Sequence, residues 1–234
     1  MTINHITVRS PRITQPLTLA LCPDFHNGNA VSVLTACKGV DAILIIGDLV
    51  DRHARRNNGY DNAVEFLCRA PEVAPTFYSI GNHERKFPRL DAYWPHVESS
   101  RVTVLDDRFV AFQGIILGGL SSREKPETAW LSAMAAQNGF KLLMRHHPEH
   151  FRHAAPYNID LTLSGHAPGG QVRIGHQGLY APGQGILPKL TSGFYLDDRV
   201  LVSRGLTNAT WAPRINCGCE LILLHLEATH AERC

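Results

Sequence analysis

Carboxylates and imidazoles recur in this chain directly after short apolar runs. Ile43 to Ile46 leads into Gly47-Asp48-Leu49-Val50-Asp51, and Leu17 to Cys22 leads into Pro23-Asp24-Phe25-His26. Thr76 to Ile80 ends in Gly81-Asn82-His83-Glu84, Lys141 to Met144 in Arg145-His146-His147-Pro148, and Asp160 to Leu163 in Ser164-Gly165-His166. A buried strand that delivers a polar side chain at its carboxyl end is how open α/β sheets build ligand sites. Residues i and i+2 of an extended segment face one side, so Asp24 and His26 can share a pocket. Taken singly, each residue has a plainer explanation: Asp48 as a helix cap or turn residue, a lone histidine as a hydrogen-bonded core or surface group. Five strand ends carrying such groups are hard to explain that way. Mixed carboxylate, amide and imidazole donors suit Mn, Fe or Zn better than Mg or Ca. Two such metals bridged by a carboxylate polarise a phosphoryl group and generate hydroxide near neutral pH.

The elements needed to hold these residues are legible. Three successive β–α units are predicted: strands at 17–22, 43–46 and 76–80, with helices at 29–37 and 61–70. Asn27 or Asn29 is the expected cap of the first helix and Asp61 that of the second. This order argues for a parallel sheet. Residues 1–16 read as a short arm or edge strand, 52–59 as a surface loop, and 85–100 as an irregular loop with a short helix. Strands are expected at 102–105, 109–112, 115–117, 141–144 and 160–163, and a helix at 126–137 with Pro126 near its first turn. The Gly-rich stretch 171–188 reads as mostly loop. Strands follow at 193–196 and 200–203, joined through Asp197-Asp198, and at 220–226. No linker, repeat or low-complexity tract divides residues 1–234, so a single domain is expected.

Composition narrows the class. The 234 residues are 44% hydrophobic and 19% charged, as in an ordinary globular protein. A net charge of +2 is too small to imply a nucleic-acid or membrane surface. No stretch approaches the ~20 apolar residues that span a bilayer, and the first ten residues lack a signal-peptide core; a cytoplasmic location is expected. The six cysteines contain no CxxC pair, which disfavours a zinc ribbon, and read mostly as buried thiols. Cys217 and Cys219 read as small side chains of a strand. The thirteen histidines are the unusual feature.

The ordered set Asp-x-His, Gly-Asp-x-x-Asp, Gly-Asn-His-Glu, His and Gly-His resembles the calcineurin-like metallophosphoesterase superfamily, from Asp24 to Gln171. Gly169-Gly170-Gln171, Leu187-Pro188-Lys189 and Val202-Ser203-Arg204-Gly205-Leu206 are similar to its YkuE/YaeI-type phosphodiesterase branch. The resemblance implies a four-layer α/β/β/α sandwich and a dinuclear metal centre. Asp24 and His26 would hold the first metal, Asp48 would bridge, and Asn82, His146 and His166 would hold the second. His83 would be the general acid and Asp51 the carboxylate that orients it and raises its pKa. A metal-activated hydroxide would attack a phosphoester, with a diester or pyrophosphate of a lipid or cell-envelope precursor as the substrate the branch suggests.

Two positions need separate treatment. Of the adjacent pair His146 and His147, the family spacing to Pro148 selects His146, leaving His147 to flank the site or face solvent. The superfamily usually has Gly-His-x-His, but here the last position is Pro168, which offers no side-chain donor. The first metal would then be held more weakly, unless water, His53 or His176 completes it. Arg52 is a candidate substrate-phosphate contact, against a plainer reading as one residue of a solvated basic loop. The alternatives to a phosphodiesterase are a catalytically silent metal- or ligand-binding scaffold and a nuclease. The small net charge argues against the nuclease, and no stable nucleic-acid partner is expected.

Overall fold

The computed structural model describes residues 1–53, 57–123, 125–208 and 213–229. Of the basic loop after Asp51, Ala54, Arg55 and Arg56 lie outside the described residues, as does Cys234. In chain order the elements are β1 (Thr2–Ser10), β2 (Leu17–Cys22), α1 (Ala30–Ala36), β3 (Ala42–Ile46), α2 (Asp61–Val73), β4 (Thr76–Ser79), α3 (Asn82–Arg85) and α4 (Leu90–Ser99). They continue with β5 (Thr103–Val104), β6 (Arg108–Phe112), β7 (Ile115–Gly119), α5 (Ala129–Ala135), β8 (Phe140–Met144) and β9 (Leu161–Ser164). The short strands β10 (Arg173–Ile174), β11 (Gln177–Gly178), β12 (Tyr180–Ala181) and β13 (Gly185–Ile186) follow, then β14 (Gly193–Tyr195), β15 (Val200–Val202) and β16 (Glu220–Ala228).

Two six-stranded sheets form, in the orders β1-β16-β2-β3-β4-β5 and β14-β15-β9-β8-β7-β6. In the first, β2, β3, β4 and β5 run parallel. In the second, β15, β9, β8 and β7 run parallel. Side chains alternate across a strand, and the core divides accordingly. Leu19, Leu21, Leu44 and Ile46 of the first sheet pack with Leu117, Leu142, Met144 and Leu163 of the second, so the sheets share one apolar interior. The alternate residues Ala20, Cys22, Ile43 and Ile45 pack on Val33 and Leu34 of α1 and Phe66 and Leu67 of α2. Ile116 and Leu143, on the far side of the second sheet, pack on Leu131 and Met134 of α5.

Several details differ from the sequence-based expectation. The N-terminal arm is a full nine-residue edge strand, paired in parallel with β16. Residues 85–100 hold the ten-residue α4 through Pro95, because Tyr93 and Val97, one turn apart, are both buried. Helix α2 likewise continues past Pro71 to Val73. Helix α5 starts at Ala129, beyond Pro126. The 171–188 stretch contains two small antiparallel pairs. Residues 217–219 precede β16 and are not strand: Cys217 is buried and its thiol donates to the Gln171 carbonyl at 2.8 Å. Of the cysteines, expected to be mostly buried, Cys22, Cys37 and Cys217 are buried, while Cys68 is exposed. Asn29 caps α1 by accepting from Ser32 N–H at 2.9 Å, while Asn27 Oδ1 accepts from Ala63 N–H of α2 at 3.0 Å. No helix among the described residues is long and apolar enough to cross a membrane.

Candidate metal centre

The strand ends converge because their loops are stitched together by backbone hydrogen bonds. Asp24 N–H donates to the Gly47 carbonyl at 3.2 Å, His26 N–H to Asp48 at 2.9 Å and Asn27 N–H to Leu49 at 2.8 Å. Within the second sheet, Gly165 N–H, after β9, donates to the His146 carbonyl, after β8, at 3.0 Å. The backbone is strained where the candidate ligands sit: Asp24, His26, Asp48 and His166 have φ of 54°, 44°, 56° and 64°. Non-glycine residues occupy this left-handed region rarely, and such departures cluster at functional sites. Gly47, at φ 76°, makes the approach possible, since a Cβ there would lie 2.7 Å from both Gly81 Cα and His146 Nδ1.

Asp48 is the centre of the arrangement. Its Oδ1 accepts the His83 N–H at 2.8 Å. Its Oδ2 faces three imidazoles, with His146 Nε2 at 3.0 Å, His83 Nε2 at 3.9 Å and His26 Nε2 at 4.0 Å. Asp24 accepts the His166 N–H on both oxygens, at 3.2 and 3.0 Å. Its Oδ1 lies 3.6 Å from His26 Nε2 and 3.9 Å from His146 Nε2. Asp48 belongs to two sets whose ligand atoms lie within 4.8 Å of one another: Asp24, His26 and Asp48, and Asp48, His146 and His166.

The donor chemistry fits divalent cations. His146 Nδ1 donates to the Ile46 carbonyl at 2.8 Å, which turns Nε2 toward the carboxylates. That Nε2 is buried without a hydrogen-bond partner, as is Asn82 Oδ1. Buried polar atoms are otherwise nearly always paired. Nitrogen and oxygen atoms about 3 Å apart suit ligands that each lie ~2.1 Å from a common ion. Two buried carboxylates also concentrate negative charge. Burial opposes ionisation of Asp48, but the imidazoles of His146, His83 and His26 outweigh it and hold its pKa well below the usual carboxylate range. Burial likewise opposes charging His146, and Asp48 and Asp24 overcome it, raising the pKa to about 10. His166, with burial as the main cause and His146 next, is lowered to about 4.

The structure brings Asp24, His26, Asp48, Asn82, His83, His166 and Arg52 to one cavity of about 200 Å³. His53 and Pro168 also line it; His176 does not, and is exposed in the β10–β11 turn. Arg52 Nε donates to His53 Nε2 at 2.9 Å. His147 flanks the site and is buried. Its Nδ1 lies 2.5 Å from Ser122 Oγ, and its ring centroid is 4.0 Å from that of His166.

The expected pairing of Asp51 with His83 takes a different form. Asp51 Oδ1 is 3.9 Å from His83 Nδ1, too far for a hydrogen bond. The nitrogen instead accepts the Arg52 N–H at 3.3 Å, and Asp51 Oδ1 accepts the His53 N–H at 3.0 Å. An acceptor Nδ1 leaves the proton of the neutral ring on Nε2, facing the cavity. Without a direct carboxylate bond, burial dominates and lowers the His83 pKa to about 3, contrary to the expected rise.

Glu84 is the residue whose role sequence reasoning missed. Its Oε1 accepts N–H groups of Leu49 and Val50 at 2.7 and 3.2 Å, and its Oε2 those of Gly81 and Asp48 at 2.8 and 3.0 Å. One buried carboxylate thus holds the loop after β3 against the loop after β4. Its place three residues after Gly81, at the start of α3, is a capping signal that sequence inspection could have used. Thr207 lines the cavity from the C-terminal region, and its Oγ1 donates to the Asp24 carbonyl at 3.0 Å. Arg214 also lines it and donates to the carbonyls of Arg204 and Thr207. No local motif marks either residue.

Two mixed sheets with parallel central strands share a core and carry a carboxylate–imidazole cluster at their strand ends, the architecture of an α/β protein with a candidate metal centre. A model of the calcineurin-like phosphoesterase family matches residues 17–170, and the chain belongs to that family. It is 25% identical over 188 residues to an uncharacterized metallophosphoesterase of Campylobacter jejuni, a match covering 73% of this chain and 49% of the relative. An uncharacterized metallophosphoesterase of Helicobacter pylori strain J99 is 27% identical over 186 residues, covering 73% and 49%. One from strain 26695 is 29% identical over 143 residues, covering 58% and 38%. The chain therefore spans about half the length, or less, of these relatives.

Proposed function

We propose that this chain is a metal-dependent phosphoester hydrolase, acting on diesters, with two divalent cations of the Mn, Fe or Zn kind. The observation that carries this reading is the Asp48 carboxylate, which is common to two ligand sets and lies 3.0 Å from the buried His146 Nε2. Asp24, His26 and Asp48 would hold one cation; Asp48, Asn82, His146 and His166 would hold the other. Cations bound there would polarise the phosphoryl group and supply hydroxide near neutral pH. The shared core of the two sheets supports treating the chain as one unit.

The remaining steps belong to the protein's own residues. Glu84 fixes the backbone that carries Asp48 and Asn82. The Arg52 N–H orients His83 so that Nε2 faces the cavity. An anionic phosphoryl group beside His83 favours its protonated form, the state that can pass a proton to the leaving oxygen. Arg52 lines the same cavity and would approach a non-bridging oxygen. Pro168 supplies no donor beside Asp24 and His26, and it motivates the second reading, a silent metal-binding scaffold.

The deciding experiment is a Mn²⁺-supplemented assay on bis-p-nitrophenyl phosphate and p-nitrophenyl phosphate, run with metal analysis of the same protein. Turnover of the diester alone is expected. Turnover of the monoester with equal efficiency removes the diester assignment. Bound metal with no turnover of either ester favours the scaffold.

A further inference from the structure

Beside the metal centre lies a second and larger cavity of about 840 Å³, with a different chemical character. Five permanent cations line it: Arg85, Lys86, Arg123, Lys125 and Arg152. Glu149 is the single carboxylate among its described lining residues. The whole chain carries a net charge of only +2, so positive charge is concentrated here well beyond its average. The groove opens onto the metal centre, because Asn82 lines both cavities. His147, against the His166 ring, forms part of the shared wall.

Arg85 is held in place, while the other four cations remain available. Arg85 is anchored by the Asp106 carboxylate and by Ser121 Oγ. Behind the wall, the buried Arg145 guanidinium donates to the Arg123 carbonyl at 3.1 Å and contacts His150 Nδ1 at 2.9 Å. Lys86, Arg123, Lys125 and Arg152 are exposed, and none makes an ion pair among the described residues. Like charges crowded in a concave surface repel one another, and a bound polyanion relieves that repulsion. Arginine and lysine together are the usual binders of phosphate oxygens. A volume near 840 Å³ falls in the range of roughly 300–1,000 Å³ typical of small-molecule sites.

Resting on the phosphoesterase reading above, we propose that this groove binds phosphate groups of the substrate that are not cleaved. The substrate class is then a small phosphoester bearing at least one further phosphate, such as a nucleotide with a second phosphoryl group. The scissile group sits at Asp48 and the additional phosphate passes Asn82 into the basic groove.

The test compares thymidine 3′,5′-bisphosphate with thymidine 5′-monophosphate, binding to the Mn²⁺-loaded protein by calorimetry at low and high salt. The bisphosphate should bind roughly tenfold more tightly, the worth of one good charge-assisted phosphate contact. Added salt should erode the difference, since the contacts are exposed. In Lys125→Ala/Arg152→Ala and in Lys86→Ala/Arg123→Ala, the preference should shrink to within about twofold, as screened contacts are lost. Equal affinity for the two nucleotides in the parent protein overturns the proposal, as does a preference that survives both double variants. A single-stranded oligonucleotide that displaces the bisphosphate at far lower concentration overturns the small-molecule class.

The p-nitrophenyl ester of thymidine 5′-phosphate, with and without a 3′-phosphate, supplies the kinetic arm. The extra phosphate should lower KM more than it changes kcat. If neither ester is turned over yet the binding preference and its loss in the variants hold, the phosphoesterase reading fails and the groove stands. If both esters are turned over but binding shows no preference, the groove proposal fails alone.

Discussion

Replacing Glu84 with glutamine changes almost no volume yet reverses the polarity of half of a buried carboxylate. Glu84 is 1% exposed and accepts four backbone N–H groups, from Asp48, Leu49, Val50 and Gly81. Glutamine keeps one oxygen and places an NH₂ where the other stood, so two of those donors face a donor. Each buried N–H left without an acceptor costs roughly 1–3 kcal/mol. Part of this is offset, because burial and then the nearby Asp48 carboxylate raise the Glu84 pKa, and removing its charge relieves both. A net loss of about 2–4 kcal/mol follows from these terms. For a chain of this size, that lowers Tm by roughly 5–12 °C. The loops it joins carry Asp48 and Asn82, so Mn²⁺ affinity should fall by roughly 10- to 100-fold, as for other residues that orient ligands. Differential scanning calorimetry and metal titration of Glu84→Gln check both numbers. A variant that keeps its Tm and its Mn²⁺ affinity refutes the reasoning. A lower Tm with unchanged affinity would mean that Glu84 stabilises the sheet edge without positioning ligands.

The other predictions concern the residues around this loop. His83→Ala should lower kcat by roughly 10²–10⁴-fold with metal content unchanged; loss of the metal instead would place His83 among the ligands. Asp48→Asn should reduce both Mn²⁺ stoichiometry and rate, because one oxygen faces three imidazoles, and unchanged stoichiometry would sink the bridging role. Pro168→His adds a donor to the cavity that Asp24 and His26 line, and should tighten the weaker Mn²⁺ site in a two-site titration, whereas an identical titration curve would show that position 168 does not reach the metal. In metal-stripped protein the His146 pKa is raised from 6.5 to about 10, with Asp48 and Asp24 overcoming burial. A raised folded-state value gives stability that is complete below pH 6.5 and lost as pH rises toward about 10. The unfolding free energy of stripped protein, from urea titrations, should therefore fall across that window by up to ~1.4 kcal/mol per pH unit. Metal-loaded protein should lack that slope, because a ligating imidazole is already unprotonated.

Local pattern in the chain was enough to locate the strands that end in chemistry and to name most residues that face the cavity. Asp24, His26, Asp48, Asn82, His83 and His166 all line it, and His146 points at Asp48 from beneath. This worked because a buried strand of apolar residues and the polar residue that stops it lie next to each other in sequence, so one short window contains both signals. Both histidines of the adjacent pair approach the site: His146 Nε2 lies 3.0 Å from Asp48, while His147 is hydrogen-bonded to Ser122 and groups with Glu149 and His166.

What the sequence could not decide depends on contacts between distant segments. The four bonds to Glu84 arise only once the loops after β3 and β4 lie side by side. The 3.9 Å gap between Asp51 and His83, filled by the Arg52 N–H, is set by backbone path and not by residue type. Thr207 reaches the site by hydrogen bonding to Asp24, 183 positions away in the chain. The basic groove gathers Lys86, Arg123, Lys125 and Arg152 from three separate segments of the chain, and its charge is invisible in a total of +2. Residue type and local periodicity therefore determined which groups could act, while the packing of the two sheets decided which atoms face each other, because hydrogen bonding and charge depend on distance in space and not on separation along the chain.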